Sequence, residues 1–194
     1  AEAFRSIRTN INFMVEGKDK IKILVTSSIS GEGKTFTSIN LSAIYAASGK
    51  KTLLLGADMR KPKIFKDFNL SNDLGLSTYL VNKAPLSSCI QKTHIENLDL
   101  MASGPIPPNP AELIESEKMT LLFHELAELY DYIIVDSPPV GLVTDALLLK
   151  KFVDASIYIV RHNYTNFNYL AHINQLHNDG VIKNFFIVLN AIYL

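Results

Sequence analysis

Apolar residues along this chain fall into two rhythms. Short, near-continuous runs occupy Ile21 to Val25, Thr52 to Leu55, Leu98 to Met101, Tyr132 to Val135, Ala155 to Val160 and Phe185 to Leu189. Runs this short, rich in Ile, Val and Leu and without alternation, predict strands buried on both faces. Between them apolar residues recur at three- and four-residue spacing, clearest over Thr35 to Ala47, Ala111 to Leu129, Thr144 to Phe152 and Phe167 to Asn178, which predicts helices. A first amphipathic helix carries Phe4, Ile7, Ile11 and Met14 on one stripe and ends near Gly17. Strand and helix alternate, so the expected fold is α/β: a doubly wound, mostly parallel sheet with helices on both faces. Ligands of such sheets lie beyond the carboxyl ends of the strands, and chemistry is to be sought there. Ser103 to Pro110 holds four of the eight prolines and reads as a rigid surface loop between elements.

A length of 194 residues with 47% hydrophobic content suits one domain with one good-sized core, over residues 1–194. Nineteen basic residues balance nineteen acidic ones, so no overall positive field draws the chain to nucleic acid or anionic lipid. Cys89 is alone and has no disulfide partner in the chain, which suits a reducing cytoplasm; it reads as a buried, inert thiol. No apolar run reaches the ~18 residues needed to span a bilayer, and no signal-peptide pattern opens the chain. A helical pattern is already under way at Ala1, so the sequence reads as a piece of a longer polypeptide.

The strand at Ile21 to Val25 runs into Ser28-Ile-Ser-Gly-Glu-Gly-Lys-Thr35, and a helix follows at once. Strand, loop and helix are the context of a Walker A phosphate loop, here with Ser28 in place of the usual first glycine. Gly31 and Gly33 let the backbone curl so that amides over Ser30, Gly31, Glu32, Gly33, Lys34, Thr35 and Phe36 surround a phosphate, aided by the positive end of the helix. Lys34 would reach the β- and γ-phosphates of ATP, and Thr35 would set its hydroxyl on Mg²⁺.

Two further strands end in carboxylates. Tyr132-Ile-Ile-Val-Asp136 precedes Ser137-Pro138-Pro139, which stops the sheet, and Asp136 reads as a Walker B acid near the hydration shell of the cation. Leu53-Leu-Leu-Gly-Ala-Asp-Met-Arg-Lys-Pro62 puts Asp58 and Arg60 just past another strand. Asp58 is positioned to hold a metal-bound water or to accept a proton from an attacking hydroxyl. Arg60 is suited either to a phosphate or to a neighbouring acid. Arg161 and Asn190 also stand at strand ends, where Arg161 is placed to line a base pocket; Asn190 carries an amide able to read a purine edge and is nearly as well suited to a turn. Asp145 fits a charge at a helix start.

These motifs together resemble the bacterial tyrosine kinases that regulate capsule and exopolysaccharide export, themselves related to Min/Par-type ATPases. Ser27 to Thr35 is similar to their Walker A segment, Asp58 to Pro62 to the Asp-x-Asp-[Met/Leu]-Arg-Lys-Pro segment, and Ile134 to Pro139 to their Walker B segment. Glu2-Ala-Phe-Arg5-Ser-Ile-Arg8 resembles the family's Glu-x-x-Arg-x-x-Arg helix, which implies ring-like self-association through residues 1–16. On spacing alone, Glu2, Arg5 and Arg8 form a ridge that suits either a neighbour or solvent. The resemblance further implies ATP and Mg²⁺ as cofactors and a transmembrane polysaccharide co-polymerase segment or activator as partner. It also implies attachment to the inner face of the plasma membrane through a part outside this chain. Acceptor tyrosines would lie in the tail of a neighbouring subunit, with Tyr193 the candidate here, while Tyr164 and Tyr169 read as packed or surface residues.

One departure bears on activity. The family's first aspartate in the second motif falls at Gly56, which leaves Asp58 as the sole acid there. The leading function is an ATP-dependent protein-tyrosine autokinase, and the runner-up is a catalytically weak ATP-binding module that governs assembly of the same export system. A Min/Par-type ATPase comes third, because Ile29 stands where those loops carry an extra lysine.

Overall fold

The computed structural model describes residues 2–140, 145–178 and 184–192. Seven strands form one sheet in the order β3-β4-β2-β5-β1-β6-β7. They are β1 (Ile21–Ser27), β2 (Thr52–Gly56), β3 (Ile90–Lys92), β4 (Leu98–Met101), β5 (Tyr132–Asp136), β6 (Ala155–Arg161) and β7 (Phe185–Asn190). All neighbours pair in parallel except β3, which runs antiparallel to β4 at one edge. The helices are α1 (Glu2–Met14), α2 (Lys34–Ala47), α3 (Ile64–Asp67), α4 (Leu76–Leu80), α5 (Leu86–Cys89), α6 (Pro110–Glu115), α7 (Glu117–Leu129), α8 (Asp145–Leu149) and α9 (Phe167–Asn178).

Successive side chains of a strand point to opposite faces, so every central strand feeds two cores. Leu53, Leu55, Ile133 and Val135 join Leu122, Phe123 and Leu126 of α7 on one face. Leu54, Tyr132, Ile134, Ile23 and Val25 join Leu41 and Tyr45 of α2 on the other. This two-sided burial is why these strands read as unbroken apolar runs. The fold is the doubly wound P-loop α/β architecture.

Several elements differ from expectation for local reasons. The helix expected over 111–129 is two helices, because the Ser116 backbone is extended and its hydroxyl accepts from the Met119 N–H to cap α7. The strand at 185–189 lies at the edge of the sheet, where β6 is its one partner among the described residues, and Ile187 and Leu189 are about half exposed instead of buried. On α1 the buried position is Ile11, and Val15, just past the helix, is buried with it, whereas Met14 points outward. The helix expected from Thr144 is described from Asp145 and ends in a 3-10 turn at Lys150–Phe152; Thr144 lies outside the described residues. Cys89 is buried within hydrogen-bonding reach of the Thr78 hydroxyl. Among the described residues no helix is long and apolar enough to cross a membrane.

Candidate functional site

Three strands deliver their carboxyl ends to one point. In register, Val25 of β1 stands beside Asp136 of β5, which stands beside Gly56 of β2. The loops that follow must therefore share the space above the sheet. A cavity of about 450 Å³ opens there, lined by Ser30, Gly31, Gly33, Lys34, Thr35 and Phe36 on one side and by Gly56, Asp58 and Arg60 opposite. Lys61 to Ile64, Ser103 and Asp136 to Pro139 complete its wall.

The loop from β1 curls because two glycines take a left-handed backbone, Gly31 at φ +89° and Gly33 at φ +103°. At Gly33 there is a second constraint, since a Cβ would stand 2.1 Å from the Asn190 Nδ2. Ser28, the departure from the usual first glycine, is buried with its hydroxyl hydrogen-bonded to that of Tyr158. The serine is thus accommodated by the neighbouring strand. α2 starts directly at Lys34, so its positive end adjoins the cavity.

Lys34 is buried, and its ammonium donates to the Ser27 Oγ at 3.1 Å. Burial lowers the pKa of this amine, against the opposing pull of Asp136, Asp58 and Glu32. Asp136 is also buried; it accepts from the Thr35 Oγ1 at 2.9 Å and from the Ser38 Oγ at 3.0 Å. Burial pushes its carboxyl up to about 6, although both hydroxyls and Lys34 act to lower it. A cationic amine, a hydroxyl and a carboxylate thus meet at one cavity, which is the donor set suited to a triphosphate and a hard divalent cation.

Asp58 accepts from the backbone N–H of Arg60 at 3.2 Å and of Lys61 at 3.0 Å, both through Oδ1, which fixes it at the cavity wall. Arg60 lines the same cavity, but its guanidinium is paired in two-point fashion with buried Asp145, at 2.7 and 2.9 Å. Of its two readings from sequence, the neighbouring acid is the one seen. Asp145 accordingly both opens α8 and holds the Arg60 turn.

Three expected ligand-binding residues stand behind the loop and outside the cavity lining. Glu32 is buried and accepts from the Ile29 N–H at 2.7 Å and from the Thr165 hydroxyl, so it shapes the loop. Arg161 donates to the Gly31 carbonyl at 2.9 Å, and Asn190 to the Glu32 carbonyl at 2.9 Å. Sequence reading missed Ser38, although it lies one helical turn beyond Lys34 on the same face of α2. It also missed Tyr164 as a partner of the loop, since only the adjacency of β6 and β1 brings the two together.

Glu2 and Arg5 are exposed on α1 and lie 3.7 Å apart, whereas Arg8 turns back to the Ile44 carbonyl of α2 at 3.4 Å. Tyr193 lies outside the described residues.

Comparison with known proteins gives consistent likenesses. The AAA domain family matches residues 20–178. Tyrosine-protein kinase YwqD of Bacillus subtilis is 40% identical over 165 residues, covering 85% of this chain and 70% of that protein. The crystal structure of the chimerical protein CapA2B2 superposes with a TM-score of 0.92 at 38% identity, over 99% of this chain and 85% of that one. The kinase domain of the Escherichia coli tyrosine kinase ETK gives a TM-score of 0.90 at 31% identity, over 100% and 77%.

Proposed function

The chain belongs to the AAA-domain P-loop class and, within it, to the bacterial tyrosine-protein kinases, and on that premise we propose that it is an ATP-dependent protein-tyrosine autokinase domain of capsular or exopolysaccharide export. The observation that carries the reading is the meeting of the Lys34 amine, the Thr35 hydroxyl and the Asp136 carboxylate at one cavity. Amides of the loop and the α2 terminus bind the terminal phosphates of the nucleotide, and Lys34 neutralises charge on the phosphoryl group in flight. Mg²⁺ would supply further neutralisation of the phosphate oxygens. Thr35 and Asp136 are the residues that would hold it, with Ser38 orienting the carboxylate.

Asp58 is the residue in position to take the proton of an incoming tyrosine hydroxyl. The transfer forms a bond from the tyrosine oxygen to the γ-phosphorus and breaks the bond from that phosphorus to the β,γ-bridging oxygen, leaving ADP. Most of the rate comes from alignment and electrostatic stabilisation, since the protein supplies no covalent intermediate.

One observation favours the weaker-module reading as second choice. A Cβ at Gly56 would stand 3.0 Å from the Ile64 Cγ2 and 3.1 Å from the Ser103 Oγ, so packing already fills the place of a second acid. Loss of a positioned base costs about 10²- to 10⁴-fold in rate without removing nucleotide binding. Self-association through α1, a membrane-bound activator and delivery of tyrosines from a neighbour's tail complete the proposal, with the domain on the cytoplasmic face of the membrane.

Incubation of the full-length polypeptide with ATP and Mg²⁺ should yield phosphotyrosine by mass spectrometry, and Lys34→Met should abolish it together with tight nucleotide binding. Unimpaired binding by Lys34→Met would overturn the site. Gly56→Asp separates the two readings: faster transfer once Ile64 and Ser103 yield marks a kinase limited by its missing acid. Slow ATP hydrolysis without phosphotyrosine in either form marks the assembly module.

A further inference from the structure

Three consecutive carbonyls of the phosphate loop each accept a hydrogen bond from a side chain on the far side of the loop from the cavity. The Ser30 carbonyl accepts from the Tyr164 hydroxyl at 3.1 Å, the Gly31 carbonyl from the Arg161 guanidinium at 2.9 Å, and the Glu32 carbonyl from the Asn190 amide at 2.9 Å. A trans peptide is planar, with its C=O and N–H pointing in opposite directions. Each bond made behind the loop therefore fixes the direction of one N–H in front of it: that of Gly31, of Glu32 and of Gly33 in turn. Gly31 and Gly33 adopt left-handed backbone and restrain their own rotation weakly, so the peptide planes between them need an external hold.

The three donors are themselves tied into one unit. β6 ends at Arg161, and the Arg161 N–H donates to the Thr165 hydroxyl at 2.8 Å, closing the turn that carries Tyr164. The Arg161 guanidinium lies 5.0 Å from the centre of the Tyr164 ring. The His162 N–H donates to the Asn190 carbonyl at 3.0 Å, which joins the turn to the end of β7. Thr165 also donates to buried Glu32, whose other oxygen accepts from the Ile29 N–H.

We propose that Arg161, Tyr164 and Asn190 are positioning residues for phosphoryl binding, a latch built from the ends of β6 and β7 that aims the amides of the loop at the nucleotide phosphates from behind. This assigns Arg161 and Asn190 to the phosphates through the backbone instead of to the adenine base. It also gives a role to Tyr164, which sequence reading left as a packed or surface residue. The inference rests on the loop's being a phosphate site, as proposed above.

The test compares two probes on the full chain by calorimetric titration in excess Mg²⁺: ADP, and inorganic tripolyphosphate, which has no base. Tyr164→Phe removes a single hydroxyl from a half-exposed side chain, so the fold is retained. It should weaken both probes equally, by about twofold to tenfold, the weight of one hydrogen bond. Arg161→Ala and Asn190→Ala should likewise weaken both in equal proportion. Backbone ¹⁵N–¹H resonances of Gly31 should shift in ligand-free Tyr164→Phe, a change that a passive surface tyrosine would not cause. Unchanged affinity in Tyr164→Phe would overturn the latch. So would loss confined to ADP in Asn190→Ala, which is the signature of a base contact. If the parent chain bound neither probe, the phosphate-site reading itself would fall, an outcome distinct from parent binding with unaffected variants.

Discussion

A carboxylate held away from water beside two hydroxyls and an ammonium carries opposing demands, and Asp136 meets them unevenly. Its folded pKa of about 6 lies above the ordinary 3.8. The group therefore favours the ligand-free fold most below its ordinary pKa, and that contribution disappears as pH rises through about 6. The slope reaches at most about 1.4 kcal/mol per pH unit for one proton. A divalent cation makes the reverse demand, because only the ionised carboxylate serves it. Ligand-free stability should thus fall from about pH 4 to about pH 7 more steeply in the parent than in Asp136→Asn. The asparagine can still accept from Ser38 and donate to Thr35. Over the same window Mg²⁺-dependent nucleotide affinity should rise in the parent and be lost in the variant. Denaturation at several pH values with chelator, alongside titrations with Mg²⁺, reads both; parallel pH profiles for the two proteins would remove Asp136 from the role. The sequence made Asp136, Lys34 and Thr35 legible because each is fixed within a few residues of a strand end or helix start. Arg60, Glu32, Arg161 and Asn190 were legible as residues near the site but not in their partners. Those partners, Asp145, Thr165 and two loop carbonyls, are set by strand order, which local spacing does not encode.

At the scale of elements, the central strands could be read because burial on both faces leaves a continuous apolar run. β7 misled for the converse reason: it has the same composition at the edge of the sheet, where Ile187 and Leu189 stay half exposed. The short pieces α3, α4 and α5 and the three-residue β3 escaped because each is too short for its apolar period to repeat. α1 was legible in its type and in the stripe of Phe4, Ile7 and Ile11, but Met14 is exposed and Val15, just past the helix, is buried in its stead. Ile11 and Val15 seat it, and the Tyr45 hydroxyl donates to Asn12 at 3.0 Å, so the helix is anchored independently of its polar ridge. Removing ridge charges should leave the monomer's stability nearly intact. Arg5 gives the cleaner probe, since its pair with Glu2 is exposed and worth little within the chain, about 0.5 kcal/mol or less. Arg8 also serves the Ile44 carbonyl. In multi-angle light scattering, Arg5→Ala should lower the assembled fraction at a given concentration while the melting temperature stays put. An unchanged mass distribution in both Arg5→Ala and the double Arg5/Arg8→Ala form would dismiss α1 as an interface.

For the whole molecule, the site and the fold share the same strands. β1, β5 and β2 are adjacent in the interior of the sheet, feed both cores, and carry Lys34, Asp136 and Asp58 at or just beyond their carboxyl ends. A ligand that bridges those ends must be released before the sheet can part, so its binding energy is added to the stability of the whole cooperative unit and not to one loop. At nucleotide about 100-fold above its Kd the gain is about 2.7 kcal/mol. Urea unfolding with excess Mg²⁺ and ADP should shift to higher midpoint at unchanged slope, because the surface exposed on unfolding is the same. The chain contains eight tyrosines and no tryptophan, so tyrosine fluorescence reports on side-chain environment and far-ultraviolet circular dichroism on the backbone. Both transitions should move together. A nucleotide-induced shift in fluorescence alone would mean that the ligand orders a loop peripheral to the sheet, and the convergence of the three strand ends would then lose its functional meaning.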